Sequence, residues 1–266
     1  MVMSGSERDD SLFTGTAAYY ARGRLPYSPD LVPLLTDVLG LDGRGRLLDV
    51  GCGPGTLALA LAGSFAEVVG IDPDPEMLAE AAARQSVNAR WIRARAEQLP
   101  LGLGTFEVAT FGQSFHWTDR DLVAAKVRAM LAPGGAFVHV AHLGGRPFPA
   151  PTDAPIAELV ARYLGPGRRA GRGTSPPGTP GNEESVLARA GFVGPERHVL
   201  SGGREFPRTE DDLVAEVFSM SFSAPPLFGG RLGAFEAELR ALLREISPTG
   251  RFVTRQPTTE VRVWRS

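Results

Sequence analysis

The stretch RLLDVGCGPGTLALALA, residues 46–62, constrains the fold more than any other part of this chain. A short apolar run passes through Gly51, Gly53 and Gly55, set at alternate positions, into a second apolar segment of helical length. A strand that is apolar throughout is buried on both faces, as in a parallel sheet covered by helices. Glycine is needed where strand, helix and ligand crowd one turn. The same alternation continues to residue 143. Strands are expected at RLLDVGC (46–52), EVVGID (67–72), ARWIRA (89–94), FEVATFG (106–112) and GAFVHVAHL (135–143), with helices between them. Asp74 reads as an N-cap with Pro75 in the first helical position, and APGG (132–135) reads as a helix stop. The fold class is therefore α/β, a Rossmann-like, doubly wound, mostly parallel sheet with helices on both faces.

Residues 46–143 form this core. Residues 1–45 contain two short helices with a proline-rich joint. Residues 144–182 are dominated by Gly, Pro and Arg, with one helix at APIAELVARYLG. The rest of that insertion, 165–181, is expected to be mobile and to close over an acceptor, because its composition cannot build a core. Residues 183–266 carry the remainder of the sheet and a helical cap. The elements expected there are a helix at EESVLARAGF, a strand around ERHVLSGGREF, helices at EDDLVAEVFSMSF and LGAFEAELRALLREI, and a last strand TTEVRVWR.

Charge bounds the partners. With 28 Lys and Arg against 30 Asp and Glu, the chain has no field directed at nucleic acid or an anionic membrane. Lys126 is the only lysine, and the arginines are spread along the chain. Cys52 is the only cysteine, so no internal disulfide or multi-cysteine metal site can form. The polar, acidic opening residues and the lack of any long apolar run imply a cytoplasmic protein, monomer or homodimer. The four histidines have no regular ligand spacing, and no metal is expected.

The glycine turn selects among ligands. Thr56 stands where a dinucleotide fingerprint would have its third glycine, and Pro54 removes an N–H that a pyrophosphate could use. No lysine follows the turn, which excludes a Walker-type phosphate cradle. Asp49, in the strand before the turn, suits a cationic group better than a phosphate. Asp72, 21 positions after Gly51, is placed to accept ribose hydroxyls. RAEQLPL (95–101) follows the third strand and puts Ala96 and Glu97 on the rim beside an adenine. A ligand with adenosine, no phosphate and a positive centre is S-adenosylmethionine.

With these residues in place the chain resembles the class I S-adenosylmethionine-dependent methyltransferases, closely over about residues 12–143 and loosely beyond. LDVGCGPGT resembles the family's first motif, which implies cofactor contacts from Asp49, Gly51, Cys52, Gly53, Gly55 and Thr56. GIDPDPEML implies a ribose acid at Asp72, with Pro73 and Met77 near adenine. AEQLPL is similar to the family's adenine segment, implying Ala96 and Glu97, although Arg95 replaces an aspartate common there. FGQSFHWTD, with Gln113 on the cofactor edge, and FTGTAAYYARGRLPY resemble stretches of a bacterial small-molecule subgroup. By that resemblance residues 1–45 act as an N-terminal lid, with Tyr20 or Arg24 near the cofactor's carboxylate. The alternative is a helix packed on the sheet.

Methyl transfer needs alignment of acceptor and methyl before it needs a base. For a hydroxyl or protonated amine acceptor, His116, after the fourth strand, is the first candidate base and His142, ending the fifth, the second. His116 also suits a role as a wall of the cofactor pocket. His139 reads as a core residue, and Cys52 as a small filler. Phe218, Met220, Phe222 and Phe228 form either an apolar acceptor pocket or core. The expected activity is methyl transfer to oxygen or nitrogen of a small organic acceptor in specialised metabolism. The alternatives are a nucleic-acid methyltransferase and a cofactor-binding scaffold without transfer.

Overall fold

The computed structural model describes residues 13–84, 86–143, 151–167, 169–170, 173–174 and 182–266. The mobility expected of 165–181 concerns a stretch that lies largely outside them. The chain divides into two compact units, a sheet unit (Leu25–Arg146, Gly178–Phe206, Arg255–Ser266) and a helical unit (Met1–Arg24, Pro147–Pro177, Pro207–Thr254).

The helices are α1 (Ala17–Gly23), α2 (Leu31–Leu39), α3 (Thr56–Leu61), α4 (Pro75–Ala83), α5 (Arg120–Met130), α6 (Asp153–Leu164), α7 (Glu183–Arg189), α8 (Glu210–Phe218) and α9 (Leu232–Ile246). The strands are β1 (Arg46–Val50), β2 (Glu67–Asp72), β3 (Ala89–Arg93), β4 (Phe106–Gly112), β5 (Leu131–Leu143), β6 (Arg169–Ala170), β7 (Gly173–Thr174), β8 (Val193–Leu200), β9 (Glu205–Thr209), β10 (Arg251–Arg255) and β11 (Thr258–Arg265).

In the sheet unit seven strands run in the order β3-β2-β1-β4-β5-β11-β8. β1 pairs in parallel with β2 and β4, β2 with β3, and β4 with β5, whereas β11 is antiparallel to both β5 and β8. The order reverses between β1 and β4, and ligands of such sheets bind outside the carboxyl ends of the strands at that point. The apolar run of β1 has the cause expected for it: Leu47 is buried on one face with Leu57, Ala58 and Leu61 of α3, and Leu48 and Val50 on the other with Val123 and Val127 of α5. Burying each such side chain contributes about 1.5–3 kcal/mol. Asp74 caps α4 by accepting from Glu76 N and Met77 N, as its place before Pro75 requires.

Two expectations need correction. ERHVLSGGREF is two strands in different sheets, because β8 joins β11 while β9 pairs with β10 in a separate ladder. β5 also begins at Leu131, ahead of the expected residue 135, through an irregular register with β4 between Phe106 and Val108.

The helical unit has its own core, including Leu159, Val217, Phe218, Phe228, Phe235 and Leu239. Phe228 and Phe235 stack at 4.0 Å. α1 packs on α8 through Gly23, where an added Cβ would lie 2.4 Å from Ala215 O. The guanidinium of Arg208 donates to Arg22 O and Gly23 O at 3.1 and 3.0 Å.

Candidate active site

The glycine turn leaves β1 and is fixed by β2. Gly51 N and Cys52 N both donate to Ile71 O, at 2.8 and 3.0 Å. Gly51 and Gly53 have φ of +67° and +52°, conformations that cost a side-chain-bearing residue energy. At Gly51 a Cβ would also sit 2.6 Å from Ser114 Cβ, whose Oγ donates to Val50 O at 2.5 Å. At Gly53 a Cβ would meet nothing within 4 Å. The turn thus presents open space at its middle glycine and close packing at its first.

Two acids lie at this turn. Asp49 is 1% exposed, and its Oδ1 accepts from Thr110 Oγ1 at 2.7 Å, across the β1–β4 pairing. Its Oδ2 is buried with no hydrogen-bond partner among the described residues. Burial pushes the Asp49 carboxyl up to about 7; the Thr110 hydroxyl and the Ala58 backbone amide oppose it, and the charge of Asp72 adds to it. Asp72 ends β2, with Oδ2 accepting from Gly53 N at 2.8 Å and Oδ1 from Asp74 N at 2.9 Å. Burial raises it to about 6 despite both amides. A buried acid with one oxygen unmatched, beside open backbone, fits a ligand carrying a cation.

The neighbouring wall follows from β3. Ala94 N donates to Asp72 O at 3.1 Å, and Ala96 and Met77 are buried nearby in the chain's own packing. Pro73 O accepts from Arg93 Nε at 3.3 Å. The short 3-10 turn Ala96–Gln98 carries Glu97, whose Oε1 accepts from Asp119 N at 2.7 Å at the start of α5. The structure therefore joins Glu97 to α5. Cys52 is buried at the turn, where burial drives its thiol well above the ordinary value, so it sits there as a neutral thiol. A Cβ on Gly70 would lie 2.4 Å from the Trp91 ring and 2.9 Å from Cys52 Sγ, so glycine there makes room for both side chains. Thr56 is the first residue of α3.

Beyond β4, Gln113 is exposed with φ of +56°, and its backbone N–H donates to Val140 O at 3.0 Å. Phe115, fully buried, anchors the next turn by packing on Phe111 and Phe137 at 5.0 and 5.1 Å. That anchor leaves His116 half-buried, its ring 4.7 Å from Trp117. His142, the penultimate residue of β5, has Nδ1 3.3 Å from Thr259 Oγ1 and its ring 5.9 Å from Tyr27. The Tyr27 hydroxyl lies against Gly112, 2.8 Å from where a Cβ would be. Thr259 was not legible as a site residue, because only the β5–β11 pairing sets it opposite His142.

His139 is buried with Nδ1 3.0 Å from Glu183 Oε2. Tyr20 and Arg24 belong to the helical unit, where Arg24 donates to Ser219 O at 3.0 Å and its guanidinium lies 5.2 Å from the Tyr20 ring. Phe218, Met220 and Phe228 are core of that unit, with Phe222 packed against them.

Comparison with known proteins gives a consistent picture. The family model described as a methyltransferase domain matches residues 47–135. An uncharacterized methyltransferase of Mycobacterium tuberculosis (strain H37Rv) is 35% identical over 136 residues, 50% of this chain and 53% of that protein. A malonyl-[acyl-carrier protein] O-methyltransferase of Enterobacter lignolyticus is 35% identical over 92 residues, 34% of this chain and 36% of that one. The chain thus spans about half the length, or less, of these curated relatives. A putative type II methyltransferase structure from Anaeromyxobacter dehalogenans has a TM-score of 0.55 at 24% identity, covering 91% of this chain and 96% of that one, a likeness of fold. No helix among the described residues is long and apolar enough to cross a membrane.

Proposed function

We propose that this chain, which matches a methyltransferase domain over residues 47–135, is a class I S-adenosylmethionine-dependent methyltransferase that transfers a methyl group to an oxygen or nitrogen of a small organic acceptor in specialised metabolism. The observation that carries this reading is Asp49, buried with one oxygen unmatched beside the open middle glycine of the turn. Bound S-adenosylmethionine supplies an electrophilic methyl group on a sulfonium centre. Asp49 balances the positive charge of its methionine end, and Asp72 accepts the ribose hydroxyls with lone pairs that the two backbone amides leave unused. Met77, Pro73 and Ala96 wall the base. Gln113 and Thr56 line the cofactor edge.

His116 accepts the proton that the acceptor oxygen or nitrogen gives up, with Phe115 holding its turn in place. His142 is the second candidate, favoured by the Thr259 hydroxyl that orients its ring. The name of the Enterobacter relative supports oxygen as acceptor atom. A formal net charge of -2 argues against a nucleic-acid acceptor.

The test is calorimetry with S-adenosylmethionine and NAD, followed by transfer of labelled methyl to a panel of small hydroxyl and amine acceptors. Binding of the first ligand alone, with label in an acceptor, is expected. Binding without transfer to any acceptor would leave a scaffold, and binding of NAD would overturn the cofactor reading. His116→Ala is expected to lower turnover by on the order of 10²–10⁴ with cofactor affinity unchanged. Weakened cofactor binding at unchanged turnover would make His116 a wall of the pocket.

A further inference from the structure

Lys126 is the sole lysine of the sequence. Its ammonium donates to Glu97 O at 2.7 Å and to Leu99 O at 2.6 Å, two carbonyls of the turn that follows β3. Asp119, the N-cap residue of that helix and seven positions earlier in the chain, donates its amide to Glu97 Oε1 at 2.7 Å. Lys126 lies in the second turn of the helix, so the two contacts fall at separate points along it. The Ala96–Gln98 turn is therefore pinned to α5 at two separated points. The first is firm, because Asp119 also caps the helix by accepting from Leu122 N at 3.3 Å. The second uses a compact ammonium whose three donors can serve two carbonyls of one turn, which the planar fork of arginine does less well. Within the turn, Arg95 N donates to Gln98 Oε1 at 2.7 Å and closes it locally.

The position of this turn gives the brace its purpose. With the methionine end at the glycine turn and the ribose at Asp72, the base extends toward the end of β3. Ala94 N, bonded to Asp72 O at 3.1 Å, ties the start of the turn to the ribose acid. The backbone of the turn is then the polar edge that meets the ring. Such an edge tells donor from acceptor only if it is held in place.

We infer that Lys126 is a positioning residue for base recognition: together with Glu97 it holds the Ala96–Gln98 turn against α5, so that the turn selects adenine over a ring with an oxo group in place of the amino group. This rests on the cofactor reading above.

The experiment is calorimetry of S-adenosylhomocysteine and S-inosylhomocysteine with the wild type, Lys126→Met and Asp72→Ala. The wild type is expected to prefer the adenine form by at least about tenfold, the scale of one hydrogen bond gained or left unmade. Lys126→Met should lose most of that preference, whereas Asp72→Ala should weaken both ligands alike. A folded Lys126→Met protein with the wild-type preference would overturn the inference. A second measurement needs no variant. Reductive methylation can reach only Lys126 and the chain's amino terminus, so Lys126 reactivity is read directly by peptide mass. Saturating S-adenosylhomocysteine is expected to slow it several-fold and S-inosylhomocysteine to slow it less. Equal rates with and without the adenine ligand would overturn the role of Lys126. A wild type that binds neither nucleoside would overturn the cofactor reading beneath it.

Discussion

Protonation of Asp49 should weaken cofactor binding by an amount set by its burial. The carboxyl accepts from the Thr110 hydroxyl, has the Ala58 amide beside it, keeps Oδ2 buried outside a well-formed hydrogen bond, and has a pKa of about 7. Its ionised fraction is then about 0.9 at pH 8 and about 0.03 at pH 5.5. A cationic ligand that binds only the ionised form loses affinity about thirtyfold across that interval, or about 2 kcal/mol. Asp72, at about 6, adds a further factor of about four at pH 5.5 if it must also be ionised. Calorimetry of S-adenosylmethionine between these pH values, in buffers of different ionisation enthalpy, gives both the affinity and the protons released. Near pH 6 binding should release close to one proton from Asp49. Asp49→Asn keeps an oxygen for the Thr110 hydroxyl and removes the charge. It should bind about tenfold or more weakly at pH 8, by the scale of a charge-assisted contact, and retain only the shallow pH dependence of Asp72. An affinity that stays flat from pH 8 to 5.5, or an Asp49→Asn protein with the wild-type slope, would refute the reasoning.

Other expectations are of smaller scope. Without ligand, Asp49 acts against the fold: its pKa of about 7 lies above the ordinary aspartate value, the folded chain holds the proton more tightly, and stability falls as pH rises from about 4 to about 7. Asp49→Asn should therefore raise the ligand-free Tm at pH 8 by several degrees in calorimetry, at about 2–4 °C per kcal/mol for a chain of this size; an unchanged or lower Tm would count against it. Asp72→Ala should cost about 1.5–3 kcal/mol of cofactor affinity, and an unchanged dissociation constant would remove the ribose assignment. Gly23→Ala would place a methyl 2.4 Å from Ala215 O, and overpacking of this kind costs about 1–3 kcal/mol, to be read as an earlier midpoint in urea.

What could be read from the sequence was what depends on local pattern. Four of the five core strands, the Asp74 cap and the full span of α9 follow from periodicity, proline and cap chemistry within a few residues of chain. β10 was missed because RFVTR has no alternation strong enough to mark it, and β9 was merged with β8 because which strand each joins is decided far away in sequence. That Asp49 and Asp72 flank the glycine turn follows from their type and spacing. Their state does not, because the raised pKa of Asp49 comes from the closure of α3 and β4 around it. Glu97 shows what local pattern leaves out: its place in the chain suggested the adenine rim, and nothing near it in sequence shows that its carboxylate accepts from the amide of Asp119, 22 residues on. Lys126 drew notice only as a compositional oddity, since nothing within one turn of its helix reveals the carbonyls it binds.

The order in which the pieces emerge from a ribosome follows from the interleaving of the two units. α1 is among the first elements made, yet Arg22 finds its carboxylate partner in Asp212, 190 residues later. At about 5–20 residues per second, that contact is delayed by roughly 10–40 s. The sheet waits as well, because β11 lies between β5 and β8 and holds neither until Arg265 has been added. During that interval α1 offers its aromatic residues to whatever else is at hand, and the β5 edge stands open to other strands. Slow or paused synthesis late in the chain should therefore be tolerated poorly, and the fraction of chains reaching the native state should depend on how the newly made segments are shielded before residue 265.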